Sequence, residues 1–215
     1  MDTVLKKLKD GILRFQTSVY PAQAEKYQRA ATEPQQPSAL IVTCADSRID
    51  PELITQSGPG EIFVTRNIGN LIPAYGEMLG GVSAVIEYAV SALKVKHVAI
   101  CGHSDCGAMK ALLAPSSLDS MSTVKSWMRN AEAALSVANS LGHEGEDHTT
   151  RLKRLTEENV LLQMQHLRTH PSVAGAMARD ELTLSGWVYD IGTGQVRISE
   201  NGERKFHPVA ESTTA

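Results

Sequence analysis

Ala39-Leu40-Ile41-Val42-Thr43-Cys44-Ala45-Asp46-Ser47-Arg48 is the stretch on which the rest of the chain can be ordered. An uninterrupted apolar run of this length suits a strand buried on both faces of a parallel sheet. It runs directly into a thiol, a carboxylate and a guanidinium. A second run, His97-Val98-Ala99-Ile100-Cys101, leads in the same way into Gly102-His103-Ser104-Asp105-Cys106-Gly107. Two strands that deliver reactive side chains at their C-terminal ends are the arrangement by which open α/β sheets build sites.

The segments between and around these runs fit that sheet. Ile62-Phe63-Val64-Thr65 reads as a further strand. Met78, Val82, Val85, Ile86, Ala89 and Leu93 fall on one helical stripe that leads into the 97–101 run, giving a strand, helix, strand order. Pro51 starts a short helix that Gly58-Pro59-Gly60 ends, and Gly107 opens another that stops near Pro115. Val124, Trp127, Met128, Ala131, Leu135 and Ala138 form one later apolar stripe, and Val160, Leu161, Met164 and Leu167 form another. Residues 183–190 and 195–199 flank Gly192-Thr193-Gly194 as a hairpin or two edge strands. At the other end, Leu5, Leu8, Ile12 and Phe15 mark an amphipathic helix. The polar residues 21–37, with Pro21, Pro34 and Pro37, make a connecting arm with one short helix around Ala24–Ala31. The expected fold is a single α/β domain over 1–215: a mostly parallel central sheet flanked by helices, an N-terminal helical arm over 1–37, and a C-terminal edge strand or hairpin.

Composition narrows the partners. The 215 residues are 42% hydrophobic and 21% charged, enough for one well-buried core. A net charge of −3 and the lack of any Lys/Arg-rich run give no electrostatic footprint for nucleic acid or anionic membrane. Charge interrupts the first ten residues and no 18 apolar residues run together, so the expectation is a soluble, cytoplasmic protein. Three cysteines in such a chain read as metal ligands or buried thiols before disulfides. Cys101, inside its apolar run, reads as a core residue.

Cys44, His103 and Cys106 offer the thiolate and imidazole donors that zinc prefers, in the number a catalytic site supplies when one position stays exchangeable. His103 and Cys106 taken alone could equally be a chance pair. Asp46 and Arg48, two apart, project to one side of an extended segment and can form a charge-assisted pair. Taken alone that pair could be a solvated salt bridge. The polar cluster His143, Glu144, Glu146, Asp147 and His148 lies among glycines and reads as a solvated turn rather than a second metal site.

The joint pattern is more specific. Cys44-Ala-Asp46-Ser-Arg48, Gly60-Glu-Ile-Phe63-Val-Thr-Arg66-Asn67 and Cys101-Gly-His103-Ser-Asp-Cys106-Gly107 resemble a β-class carbonic anhydrase of the plant and cyanobacterial form, over about residues 35–200. The resemblance implies reversible hydration of carbon dioxide to bicarbonate and a proton. It implies one Zn2+ per chain on Cys44, His103 and Cys106, with Asp46 and Arg48 as the dyad that gates and orients zinc-bound hydroxide. It further implies a substrate pocket of Gln35, Phe63, Ile68, Tyr88 and Gly107, and a homodimer or tetramer in which the arm wraps a partner and the pocket is completed across the interface. A bicarbonate-regulated subgroup places a tryptophan where this chain has Ile41, alongside residues matching Arg66 and Tyr189, so the open form of the site is expected here. A relative on the same scaffold that hydrolyses carbon disulfide or carbonyl sulfide is the alternative.

Other chemistries fit less well. A cysteine phosphatase or sulfurtransferase would need an anion cradle between Cys44 and Arg48, and Asp46 occupies it. A zinc deaminase needs a glutamate two residues after its histidine and a Pro-Cys-x-x-Cys run, both absent. A structural zinc module is usually closed by four nitrogen or sulfur ligands, and only three present themselves.

Overall fold

The computed structural model describes residues 3–77, 80–200 and 202–209. Met78, placed above on a helical stripe, lies outside them. The chain begins with α1 (Thr3–Arg14), a π-helical turn at Phe15–Val19, the short α2 (Tyr20–Ala22) and α3 (Ala24–Thr32). None of these buries a residue within the chain. The body follows as β1 (Ala39–Cys44), α4 (Pro51–Thr55), β2 (Ile62–Asn67), α5 (Gly81–Glu87) and β3 (His97–His103). Then come α6 (Gly107–Leu113), α7 (Ser122–Trp127), α8 (Glu132–Ser140), α9 (His148–Arg168) and α10 (Pro171–Ala178). The strands β4 (Thr183–Tyr189), β5 (Val196–Glu200) and β6 (His207–Pro208) complete the described chain.

Among the described residues the sheet has six strands in the order β2-β1-β3-β4-β5-β6. The first four are parallel, and β5 and β6 join antiparallel, so the sheet is mixed. The expected hairpin is present, but its first arm is not an edge. β4 pairs with β3 from His97↔Thr183 to His103↔Tyr189, and only β5 and β6 lie beyond it. Between β1 and β3 the strand order reverses, the chain leaving toward β2 on one side and β4 on the other. A crevice opens at the carboxyl ends of such a strand pair, and Cys44 and His103 end these two strands.

Alternation along the strands sorts the core. Leu40, Val42, Val98, Ile100, Leu184 and Val188 form one cluster with Ile86 of α5, Val160, Met164 and Leu167 of α9, and Val173 of α10. Fully burying each such side chain contributes about 1.5–3 kcal/mol. The other sheet face gathers Ile41, Ala99 and Cys101 with half-buried Ile62, Val64, Trp187 and Tyr189. A third cluster joins Cys44, Ile49, Leu71 and Cys106 to Met109 and Leu112 of α6, Met128, and Leu152 and Leu155 of α9.

Helix α9 is far longer than its sequence stripe suggests. Asp147 caps it, its carboxylate accepting from the Thr149 and Thr150 amides at 2.9 and 3.0 Å. The acidic and histidine cluster around residues 143–148 is thus a capping turn, tied to the helix body by the Glu146–Arg154 ion pair. Where α9 crosses the sheet it presses on two glycines. A Cβ on Gly102 would sit 2.7 Å from a Val160 methyl, and one on Gly186 only 2.6 Å from the other.

Candidate metal centre

Cys44 sits at the end of β1, His103 at the end of β3 and Cys106 at the entry of α6, and all three are buried. Their ligand atoms lie within 4.8 Å of one another, the one such group of metal-capable side chains among the described residues. The donor chemistry fits zinc. His103 donates from Nδ1 to the Ser104 carbonyl at 2.8 Å, which fixes the tautomer. Its Nε2 is left as a buried acceptor with no partner. Such an orphan is costly unless something fills it, and a cation bound between the two sulfurs would.

The two cysteines are shifted in opposite directions. Cys44 is lowered to about 4 against the opposing effect of burial, first by the Cys106 thiol, then by the neighbouring His103 side chain, and then by the backbone amides of Gly69 and Asp46. Cys106 is pushed up, chiefly because its proton serves the Cys44 sulfur and because it is buried. Cys101 has no such company. Burial pushes it up to about 12, which makes it the inert core thiol expected from the sequence.

Asp46 and Arg48 meet, although not in an extended segment. The Asp46 carboxylate accepts from the Arg48 backbone amide at 3.0 Å, an Asx-type bond that bends residues 46–48 into a turn. The guanidinium then closes on it bidentately, Nε to Oδ1 at 2.9 Å and Nη2 to Oδ2 at 2.7 Å. These bonds hold the Asp46 carboxyl well below the usual carboxylate range. Its Oδ2 lies 4.0 Å from His103 Nε2, beside the ligand group and turned toward Arg48. Arg66 fixes the same turn from β2, donating to the Cys44 carbonyl at 3.2 Å and the Asp46 carbonyl at 2.6 Å.

The loop after β2 forms another wall. Gly69, at φ +76°, turns a backbone that a side chain would strain. Asn159 of α9 donates to its carbonyl at 3.1 Å, and Gln163 accepts from the Ile72 amide at 2.7 Å. Trp127 donates to the Ile68 carbonyl at 2.9 Å.

The five expected pocket residues divide between two places. Ile68 is exposed on this loop, and Gly107 follows Cys106 with open space where a Cβ would stand. Phe63 lies beside Leu40, four residues before Cys44, or roughly 13 Å along the strand. It packs on exposed Tyr88 with ring centroids 6.1 Å apart. Gln35 lines a hollow with Lys26, Arg29, Gly60 and Glu61, at the N-terminal edge of the sheet. The chain therefore does not gather Gln35, Phe63 and Tyr88 around its own Cys44.

Sequence reasoning gave no role to Asp105. It accepts from Arg48 Nη1 through Oδ2 at 2.9 Å, its carbonyl accepts from Nη2 at 3.3 Å, and Lys110 pairs with its other oxygen. Its position inside the His-x-x-Cys segment was the available signal. Asn159 and Gln163, two polar residues set among the apolar Val160, Leu161, Leu162 and Met164 of α9, were given no role.

Comparison with known proteins agrees with the geometry. A family model described as carbonic anhydrase matches residues 39–196. A carbonic anhydrase of Pseudomonas aeruginosa is 45% identical over 207 residues, covering 96% of this chain and 93% of that protein. One from Synechococcus elongatus is 45% identical, over 89% of this chain and 70% of its own. The solved structure of the β-carbonic anhydrase CcaA superposes with a TM-score of 0.91 at 33% identity, over 97% of this chain and 93% of that one. One of two tetrameric β-carbonic anhydrases from Sordaria macrospora does so with a TM-score of 0.77 at 28% identity, over 98% and 100%.

Proposed function

We propose, because this chain belongs to the β-class carbonic anhydrases, that it hydrates carbon dioxide reversibly to bicarbonate and a proton at a zinc ion held by Cys44, His103 and Cys106. The observation that carries the zinc reading is the buried, unpartnered His103 Nε2 grouped with two buried free sulfurs, the ligand atoms within 4.8 Å of one another. When bound, zinc supplies Lewis acidity there, making a nucleophile from water near neutral pH.

The chain's own residues do the rest. Asp46 stands next to the reaction point as a hydrogen-bond acceptor, so that an attacking water presents its lone pair, and not its proton, to the carbon of the substrate. Arg48 keeps that carboxylate ionised and turned away from a ligand position, which is the open form of the site. Arg66 holds the backbone of the same turn. Ile68 and the open space at Gly107 offer an apolar wall suited to a small linear molecule.

The remaining pocket residues support a second copy. Exposed Val4, Leu8, Ile12 and Phe15 form an apolar stripe on α1 and the turn after it, which no described core residue of the same chain covers. A homodimer, alone or paired into a tetramer, would cover that stripe and bring Gln35, Phe63 and Tyr88 to the partner's centre. Three free cysteines and no disulfide among the described residues suit a reducing, cytoplasmic setting. No described helix is long and apolar enough to cross a membrane.

The test is stopped-flow hydration of carbon dioxide alongside metal analysis. One zinc per chain with activity abolished by chelation and by Cys106→Ser supports the reading. Activity in metal-free protein, or turnover of carbonyl sulfide in preference to carbon dioxide, refutes it.

A further inference from the structure

Arg48 has more donors than Asp46 can use. Nε and Nη2 are spent on the Asp46 carboxylate, but a half-exposed guanidinium held on one edge can still rotate or swing into water. Isolated exposed pairs of this kind are weak. Networks with bidentate geometry are the exception. The structure supplies the second edge from the other ligand-bearing loop: Asp105 accepts from Nη1 at 2.9 Å with its side chain and from Nη2 at 3.3 Å with its carbonyl. Asp105 adopts φ +58°, a left-handed conformation uncommon outside glycine, which sets its side chain between Arg48 and Lys110. Lys110, in the first turns of α6, occupies the carboxylate oxygen that Arg48 leaves free.

We infer that Asp105, braced by Lys110, is a positioning residue that locks the Arg48 guanidinium onto Asp46 and so keeps the carboxylate off the metal position. The chain Lys110–Asp105–Arg48–Asp46 ties the loop carrying Cys44 to the loop carrying His103 and Cys106. Removing Asp105 frees one edge of Arg48, and with it the Asp46 carboxylate, which lies 4.0 Å from His103 Nε2. The link to turnover rests on the proposed function. The state of the Arg48 side chain does not.

Asp105→Asn and Asp105→Gly both suit a positive φ, so neither needs to disturb the loop backbone. In 15N-labelled, zinc-loaded, full-length protein, the wild-type Arg48 Nη1 and Nη2 should give separate resonances, because rotation about the Nε–Cζ bond is hindered. In Asp105→Gly they should merge, and in Asp105→Asn they should broaden. Zinc content should stay near wild type while kcat for hydration falls about ten-fold, with KM within two-fold. Unchanged Arg48 resonances in Asp105→Gly would overturn the lock. Merged resonances with wild-type kcat would overturn its role in turnover. A wild-type protein without hydration activity would refute the proposed function, while the resonances would still report on the lock.

Discussion

Replacing Gly102 by alanine tests how packing reaches the metal centre. The new Cβ would lie 2.7 Å from Val160 Cγ2 and 3.4 Å from Thr156 Cγ2, against an ordinary carbon–carbon separation of about 3.5–4.0 Å. Val160 is fully buried, so β3 and α9 must part by about 1 Å. Overpacking of this kind costs about 1–3 kcal/mol. For a chain of this size that lowers Tm by about 2–12 °C. Gly186→Ala meets the other Val160 methyl at 2.6 Å and Met164 Sδ at 2.9 Å, so its stability cost should be similar. The two differ in what lies beside them. Gly102 precedes His103, and displacing that ring should weaken zinc binding by about 10–100-fold. Gly186 pairs with Ile100 and should leave zinc affinity within about two-fold. Val160→Ala in the Gly102→Ala background opens the space again, with a coupling energy of at least about 1 kcal/mol. Denaturant unfolding at fixed protomer concentration and chelator competition read out both quantities. Equal zinc loss in the two glycine variants, or a Gly102→Ala chain as stable as wild type, would refute the reasoning.

Arg48→Ala should lower hydration by roughly a hundred-fold, the scale of a lost positioned acid–base group, while zinc content stays near one per chain; wild-type turnover across the pH range would contradict the role given to the dyad. Burial holds His97 and His170 below the ordinary value of 6.5, so the folded chain binds fewer protons than the unfolded one just beneath that pH. Stability from these groups is complete above about pH 6.5 and is lost as pH falls through the window below it, so His170→Gln should flatten the slope of unfolding free energy against pH in that window. An unchanged slope would show that His170 is not its source. Deleting residues 1–30 exposes whatever the arm covers and should yield monomers by light scattering, with hydration reduced; a fully active truncated chain would end the dimer reading.

Much of this was legible in the sequence because the strands announce themselves. The runs at 39–44 and 97–101 are apolar on both faces, as strands inside a parallel sheet must be, and the donors follow at once. What escaped the sequence has identifiable physical causes. The first half of α9, His148–Glu158, is mostly polar, and only Leu152 and Leu155 mark its buried side, so the helix looked half its length. Its start is set by Asp147, whose capping role looks in sequence like one more polar turn residue. β4 read as one arm of a hairpin or as an edge strand because Gly192-Thr193-Gly194 marks only its hairpin side. Its partnership with β3 is a contact between residues about 86 apart, which no local pattern encodes. Asp105 had its place inside the His-x-x-Cys segment as a signal, but its partner Arg48 lies 57 positions away, so its role could not be read locally. Gln35, Phe63 and Tyr88 match the family pattern by position, yet a single chain leaves them at a distance from its own sulfurs.

The central claim is that one zinc ion on Cys44, His103 and Cys106 makes this chain a catalyst of carbon dioxide hydration. The direct measurement is a titration of metal-free protein with zinc, followed by stopped-flow hydration. The account predicts activity that rises linearly, breaks at one equivalent per chain, and fails to appear in Cys44→Ser. Full activity before zinc is added, or an equal rise in Cys44→Ser, would contradict it.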